Sequence, residues 1–81
     1  ALPLECNVIG KRVDEALQIV EKYLDDAILR GMHEVRIVHG KGSGALRTAI
    51  HEMFKSHSAI DSYRLGQYGE GEWGVTIAKL K

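Results

Sequence analysis

Two segments of the chain repeat apolar residues at the spacing of an amphipathic helix. In residues 12–30 the apolar positions recur every three or four residues, at Val13, Ala16, Leu17, Val20, Leu24, Ala27 and Ile28. A second stripe crosses residues 45–57, at Leu46, Ala49, Ile50, Met53 and Phe54. Residues at this spacing lie on one side of a helix. The pattern therefore predicts two helices, each burying a single face.

Shorter apolar segments around these helices predict four strands. Val35 and Ile37 alternate with Glu34 and Arg36, as in a strand with one buried face. The four predicted strands are residues 4–9, 34–38, 60–67 and 73–80, with a glycine-containing loop at 69–72. The resulting order, β-α-β-α-β-β, predicts an α+β fold of two layers. In it both helices cover one face of a four-stranded mixed sheet, and the first two strands run parallel.

Composition excludes several classes of protein. The 81 residues suffice for one small domain and carry no formal net charge, so any binding of nucleic acid must come from local clustering of basic residues. One cysteine, Cys6, cannot form an internal disulfide, which favours a reducing, cytoplasmic location. No apolar run approaches the ~18 residues of a membrane span. Since the chain starts at Ala1, we expect residues 1–81 to be one domain of a longer protein.

A glycine-rich segment between the second strand and the second helix predicts an anion site. It reads His39-Gly40-Lys41-Gly42-Ser43-Gly44. A turn of this kind brings backbone N–H groups and the positive end of a helix to one place. Lys41 adds a charge, and Arg47 follows within the first turn of the helix. We therefore expect these residues to hold a phosphate of a polynucleotide.

Three other interpretations of the loop compete with this one. A P-loop requires lysine and a hydroxyl residue directly after its last glycine, whereas Gly44 is followed by Ala45 and Leu46. A dinucleotide fingerprint is matched formally, with Asp61 as its acid. That acid should end a strand, yet Asp61 stands near the start of one, and the sheet is too small. A plain turn without a ligand stays open, although three glycines with a lysine exceed what a turn needs.

Two roles remain open for His39. Beside a bound phosphate it could transfer protons as a general base or acid, or it could hold the loop by hydrogen bonds. The other histidines, His33, His51 and His57, are expected on the surface, and none of their spacings indicates zinc. Cys6 is expected to be packed rather than reactive. Trp73 could stack on a base or be buried at the start of a strand.

Five segments of the chain match a known family pattern: Gly10–Leu17, Tyr23–Ala27, Val38–Arg47, Glu70-Gly71 and Gly74–Ile77. Through them the sequence resembles the Smr (small MutS-related) domain family over nearly its whole length. The resemblance is closest to the version at the C-terminus of a bacterial MutS paralogue that acts outside mismatch repair. It implies a fold similar to the C-terminal domain of bacterial translation initiation factor 3. It also implies DNA or RNA binding, with nicking or cleavage, in a parent protein that is a homodimeric ATPase.

The resemblance further implies roles in limiting recombination and in rescuing collided ribosomes, and it leaves a divalent metal for cleavage open. His39 and Asn7 are then the predicted catalytic residues. The predicted nucleic-acid contacts are Arg12, Gly40, Lys41, Gly42, Ser43, Gly44, Arg47 and Trp73.

The chain departs from the family pattern at three places. Asn7 stands where the family usually has an acid, and Ile9 where it has a basic residue. The late Glu-Gly-Gly pattern is altered to Glu70-Gly71-Glu72. Asparagine cannot serve as a carboxylate base or as a strong metal ligand. A domain that binds without cutting, docking its parent protein on DNA or on ribosomes, is therefore the alternative function.

Overall fold

The computed structural model describes residues 2–81 and confirms the predicted order of elements. The elements are β1 (Cys6–Asn7), α1 (Val13–Leu29), β2 (Glu34–Val38), α2 (Ala45–Ser56), β3 (Ile60–Leu65) and β4 (Val75–Leu80), with a 3-10 turn at Glu72–Gly74. The two helices and the second strand lie within one residue of their predicted bounds.

The strands form one mixed sheet in the order β1-β2-β4-β3. β1 and β2 pair in parallel, whereas β4 is antiparallel to both of its neighbours. Because β1 and β2 are parallel, their carboxyl ends lie side by side at the same edge of the sheet. Both helices begin at that same edge, because each follows one of these two strands.

The hydrophobic core lies between one face of the sheet and both helices, as the single apolar stripe on each helix predicts. Val35 and Ile37 of β2 are buried in the same cluster as Leu24 of α1 and Ile50 and Phe54 of α2. Arg36, between the two buried β2 residues, lies on the opposite face and pairs with Glu5 there, 3.3 Å from Nε to Oε1. The two-layer arrangement is confirmed.

The structure corrects the predicted bounds of three strands. β3 ends at Leu65 rather than at residue 67. β1 is only two residues long, because the chain turns after Val8: the Lys11 N–H donates to the Val8 carbonyl at 3.1 Å. Trp73 lies in the 3-10 turn rather than in β4, which begins at Val75. Within the described residues, neither helix combines the length and the apolar character that crossing a membrane requires.

Candidate functional site

A cleft of about 430 Å³ opens where the two strand-to-helix turns lie side by side. The turn from β1 to α1 contributes residues 9–13, and the turn from β2 to α2 contributes residues 39–47. Both helices thus present their N-terminal ends to the cleft. Because a helix N-terminus carries partial positive charge and N–H groups without intrahelical acceptors, the cleft suits an anion.

Four basic side chains line the cleft: Lys11, Arg12, Lys41 and Arg47. No acidic residue of the described chain is among its lining residues. Arg12 Nε lies 3.8 Å from Asp14 Oδ1, and Lys41 Nζ lies 3.6 Å from Glu72 Oε2. These pairs are exposed and therefore weak, so a phosphate can displace the carboxylates.

The glycines of the loop adopt a backbone that other residues rarely take. Gly40, Gly42 and Gly44 have φ values of 79°, 27° and 86°. A Cβ on Gly44 would lie 2.6 Å from Arg47 Nη2, so glycine at this position lets the guanidinium rest against the loop. Gly44 also precedes α2 without giving the helix a side-chain cap. Residues 41–43 of the loop are exposed, whereas Gly44, against which the Arg47 guanidinium rests, is buried.

The start of the glycine loop is hydrogen-bonded to the 3-10 turn at Glu72–Gly74. The Gly74 carbonyl accepts hydrogen bonds from the N–H groups of both His39 and Gly40, at 3.0 and 2.9 Å. Trp73, next to Gly74, is 66% exposed and therefore free to contact a ligand. This exposure decides against burial of Trp73 at the start of a strand, although Trp73 is not among the residues that line the cleft.

His39 is buried, with only 4% of its surface exposed. Its Nδ1 lies 2.9 Å from the Gly40 carbonyl oxygen, and its Nε2 lies 2.8 Å from Thr76 Oγ1. Burial lowers the pKa of His39 below its usual value, with the nearby Arg47 acting in the same direction and the Gly40 carbonyl opposing it. Because both ring nitrogens are hydrogen-bonded inside the protein, the geometry favours the role of holding the loop. Proton transfer by His39 stays a prediction.

Two polar residues bonded into the surroundings of His39 escape prediction from the sequence. The sequence pattern marks Thr76 only as a β-strand residue, yet its hydroxyl is buried between two imidazoles: His51 Nε2 lies 2.8 Å from Thr76 Oγ1. The surface prediction for His51 is wrong, because its ring packs on Tyr63 with centroids 4.9 Å apart. His51 follows Arg47 by four residues, so helical spacing could have placed it beside the cleft.

The two remaining histidines differ in their exposure to solvent. His33 is exposed as predicted. His57 is half-buried. Its Nε2 lies 3.0 Å from Glu21 Oε2, and its Nδ1 accepts a hydrogen bond from the Ala59 N–H. The buried Cys6 is packed as expected, and burial raises the pKa of its thiol to about 11.

Asn7 lies outside the cleft. Its Oδ1 accepts the Ile9 N–H at 3.0 Å, which shapes the turn after β1, and its side chain lines a separate groove of about 280 Å³ with Tyr23. Ile9 lies in the cleft instead, packed so closely on Gly40 that a Cβ there would be 3.2 Å from Ile9 Cγ1. The cleft thus gathers His39, Arg12, Arg47 and residues 40–44, while Asn7 and Trp73 are not among its lining residues.

The cleft and its surroundings offer few side chains that could coordinate a metal ion. Among residues 2–81 there is no group of three or more His, Cys, Asp and Glu side chains placed to hold one. The cleft offers cationic side chains and amides, whereas Mg²⁺ and Ca²⁺ prefer carboxylate and carbonyl oxygens. The donor set of the cleft therefore does not fit a resident divalent cation.

Comparison with known proteins gives concordant matches. A family model described as the Smr domain matches residues 6–81. An endonuclease MutS2 of Agathobacter rectalis is 56% identical over 77 residues, which are 95% of this chain and 10% of the relative. An endonuclease MutS2 of Acetivibrio thermocellus is 52% identical over all 81 residues, again 10% of the relative. The chain therefore spans about a tenth of the length of these relatives.

Two solved structures share the fold. The crystal structure of the Smr domain of Thermus thermophilus MutS2 superposes with a TM-score of 0.94 at 38% identity, covering 98% of this chain and 99% of that one. YdaL, a stand-alone small MutS-related protein from Escherichia coli, superposes with a TM-score of 0.90 at 20% identity, covering 96% and 64% of the two chains. The second likeness concerns the fold alone.

Proposed function

The chain belongs to the Smr domain family, and from this premise we propose that its basic cleft binds the phosphate backbone of DNA or RNA. The observation that carries the proposal is the convergence of two helix N-termini, a glycine loop and four basic side chains on one cleft. A polynucleotide suits this cleft better than a small anion, because four cationic side chains from two separate turns line it, enough to contact more than one phosphate. Nucleic-acid binding is thus achieved without a net positive charge.

Binding is tested by anisotropy of a labelled single-stranded oligonucleotide, titrated at several salt concentrations. If all four basic residues contact phosphates, the logarithm of the association constant should fall with the logarithm of salt concentration with a slope of about −2 to −3. A parallel titration with duplex DNA gives the preference between the two forms. Absence of salt-dependent binding to every DNA and RNA probe would contradict the proposal.

We propose that Trp73 stacks on an unpaired base next to the phosphate held by the loop. The indole is exposed, and the carbonyl of its neighbour Gly74 is hydrogen-bonded to the His39 and Gly40 amides at the start of the loop. Trp73→Ala should weaken binding to the single strand by roughly 10-fold, and Trp73→Phe should restore most of it. Both variants should bind an oligonucleotide with abasic sites equally. Equal binding of the intact oligonucleotide by wild type and Trp73→Ala would exclude stacking.

Cleavage of the bound strand is the finer proposal, suggested by the name endonuclease that the MutS2 relatives carry. The supporting feature is the cleft, and the feature that weighs against it is Asn7, which supplies no carboxylate. A supercoiled-plasmid nicking assay should compare wild type, His39→Ala and Asn7→Asp, each with magnesium and with a chelator. We expect slow nicking by wild type, and faster nicking by Asn7→Asp would show that the cleaved strand reaches beyond the cleft to the groove that Asn7 lines. Loss of nicking in His39→Ala with unchanged affinity for the oligonucleotide would support proton transfer by His39.

Docking without cleavage is the second candidate function, and Asn7 is the specific observation that favours it. Binding in the anisotropy titration combined with no nicking by wild type would select it over the nuclease. Whether the docking target is ribosomal is then tested by co-sedimentation of the 81-residue chain with ribosomes. A Lys41→Ala, Arg47→Ala double variant that still sediments would place the ribosomal contact outside the cleft.

A further inference from the structure

A partly buried series of hydrogen bonds runs from helix α2 to the glycine loop. It joins His51, Thr76, His39 and the Gly40 carbonyl at successive distances of 2.8, 2.8 and 2.9 Å. Three different elements contribute to it: α2, β4, and the segment that leaves β2. Neither the apolar pattern nor the phosphate loop requires such a chain.

The chemistry of the groups assigns every proton in this chain. A carbonyl oxygen only accepts, so His39 Nδ1 carries the hydrogen and donates to Gly40. Neutral His39 then has a bare Nε2, which must accept from the Thr76 hydroxyl. That hydroxyl has one hydrogen, so towards His51 it can only accept, and His51 Nε2 is the donor. The two imidazoles are therefore opposite tautomers.

The surroundings keep both rings neutral. Thr76 has no exposed surface, and its backbone is fixed opposite Ile37 in the sheet. His51 is faced by His39 from the end of β2, by Arg47 and Lys55 from its own helix, and by the Tyr63 ring from β3. Burial and these positive charges lower the pKa of His51, as burial does that of His39. No acidic group appears among these neighbours to favour an imidazolium.

The direction of the Gly40 carbonyl decides where the next amide points. In a planar trans peptide the C=O and the following N–H point in opposite directions. With the Gly40 carbonyl turned inwards to the buried His39, the Lys41 N–H is directed away from the protein interior. Since the Gly40 N–H is already bonded to Gly74, the peptide groups on both sides of Gly40 are fixed.

We propose that Thr76 and His51 are positioning residues for the cleft: they hold His39 in its Nδ1-protonated tautomer, and His39 thereby aims the Lys41 amide at the bound phosphate. The proposal rests on the proposed function, because it gives the loop a ligand. It assigns to Thr76 and His51 a role in preorganising the loop, so that little conformational freedom is lost when a phosphate binds.

The experiment combines a structural readout without ligand and an affinity readout with it. Long-range ¹H–¹⁵N spectra of the wild-type chain at neutral pH should show His39 protonated at Nδ1 and His51 at Nε2. Thr76→Val, which keeps the shape and removes the hydroxyl, should shift His39 towards the other tautomer and move the Lys41 amide resonance. The same variant should bind the single-stranded oligonucleotide roughly three- to 10-fold more weakly. Thr76→Ser, which keeps a hydroxyl, should restore all three.

His51→Phe provides a second variant should Thr76→Val fail to fold. Position 51 is only half-buried, and a phenyl ring retains the packing on Tyr63 while removing the donor. It should move the Lys41 amide in the same direction as Thr76→Val.

The outcomes separate the two proposals. If the wild type binds no nucleic acid, the proposed function fails. The tautomers and the Lys41 amide resonance still show whether the hydrogen bonds from His51 to Gly40 position the loop. His39 protonated at Nε2 in the wild type would overturn the inference. So would a Thr76→Val variant whose tautomers and amide shifts match Thr76→Ser. Changed tautomers with unchanged affinity would also overturn it, since the network would then not serve ligand binding.

Discussion

Replacing Lys41 and Arg47 together by alanine should weaken oligonucleotide binding by about 100-fold and flatten its salt dependence by more than one unit of slope. The two side chains reach the cleft from opposite ends of the loop, Lys41 from its start and Arg47 from the first turn of α2. Each charge-assisted bond to a phosphate contributes about 1.5 kcal/mol or more, and removing one such bond lowers the slope on a single strand by about 0.7.

The matched control removes two positive charges elsewhere. Lys22 and Arg30 are exposed on or next to α1 and do not line the cleft. The Lys22→Ala, Arg30→Ala variant has the same net charge as the Lys41, Arg47 variant. It should keep nearly wild-type affinity, because neither side chain lines the cleft. It should also stay folded, because exposed pairs such as Lys22 with Asp26 contribute little to stability. Equal losses in the two double variants would mean that overall charge, rather than the cleft, governs binding.

Much of the fold was predictable because its signals are local. The stripes from Val13 to Ile28 and from Leu46 to Phe54 have helical spacing, and β2 alternates buried and exposed residues. The end of β1 was not predictable in this way. It is set by the Asn7 side chain, which bonds the Ile9 N–H, and side-chain-to-backbone bonds of this kind leave no mark on the apolar pattern.

The part of the candidate site formed by one continuous segment was predictable from the sequence. The part formed by residues from other strands and helices was not. The segment from His39 to Arg47 is continuous, so glycine spacing and charge were enough to single it out. Thr76 and His51 reach His39 only because β4 pairs with β2 and because His51 of α2 bonds to Thr76 of β4. Lys11 and Ile9 enter the cleft only because β1 is parallel to β2. These contacts depend on tertiary structure, which a single sequence does not display.

Gly71→Ala should destabilise the domain by about 3 kcal/mol, the largest loss of stability expected from removing a glycine in this chain. Gly71 has φ 102°, and an added Cβ would collide with the Val75 side chain, lie 3.1 Å from Val75 Cβ, and press on the Arg36 guanidinium at 3.3 Å. Val75 is buried and begins β4, so it has little room to move.

Gly69→Ala separates the collision from backbone strain. Gly69 also has a positive φ, 86°, but an added Cβ there would meet no atom of the described chain within 4 Å. Its replacement should therefore cost only the strain, about 1 kcal/mol. Urea unfolding of the two variants measures the difference as a shift in midpoint at constant slope. Equal midpoints would show that the collision relaxes without cost.

The same pair of variants tests how far the cleft depends on the 3-10 turn. Gly71 precedes this turn, and its carbonyl accepts the Gly74 N–H at 3.1 Å, while the Gly74 carbonyl holds the amides of His39 and Gly40. A distortion at Gly71 is therefore transmitted to the loop through two hydrogen-bonded steps. Gly71→Ala should shift the Gly40 amide resonance and weaken oligonucleotide binding even where the domain is fully folded. Gly69→Ala should leave both unchanged, because its added methyl group points into open space.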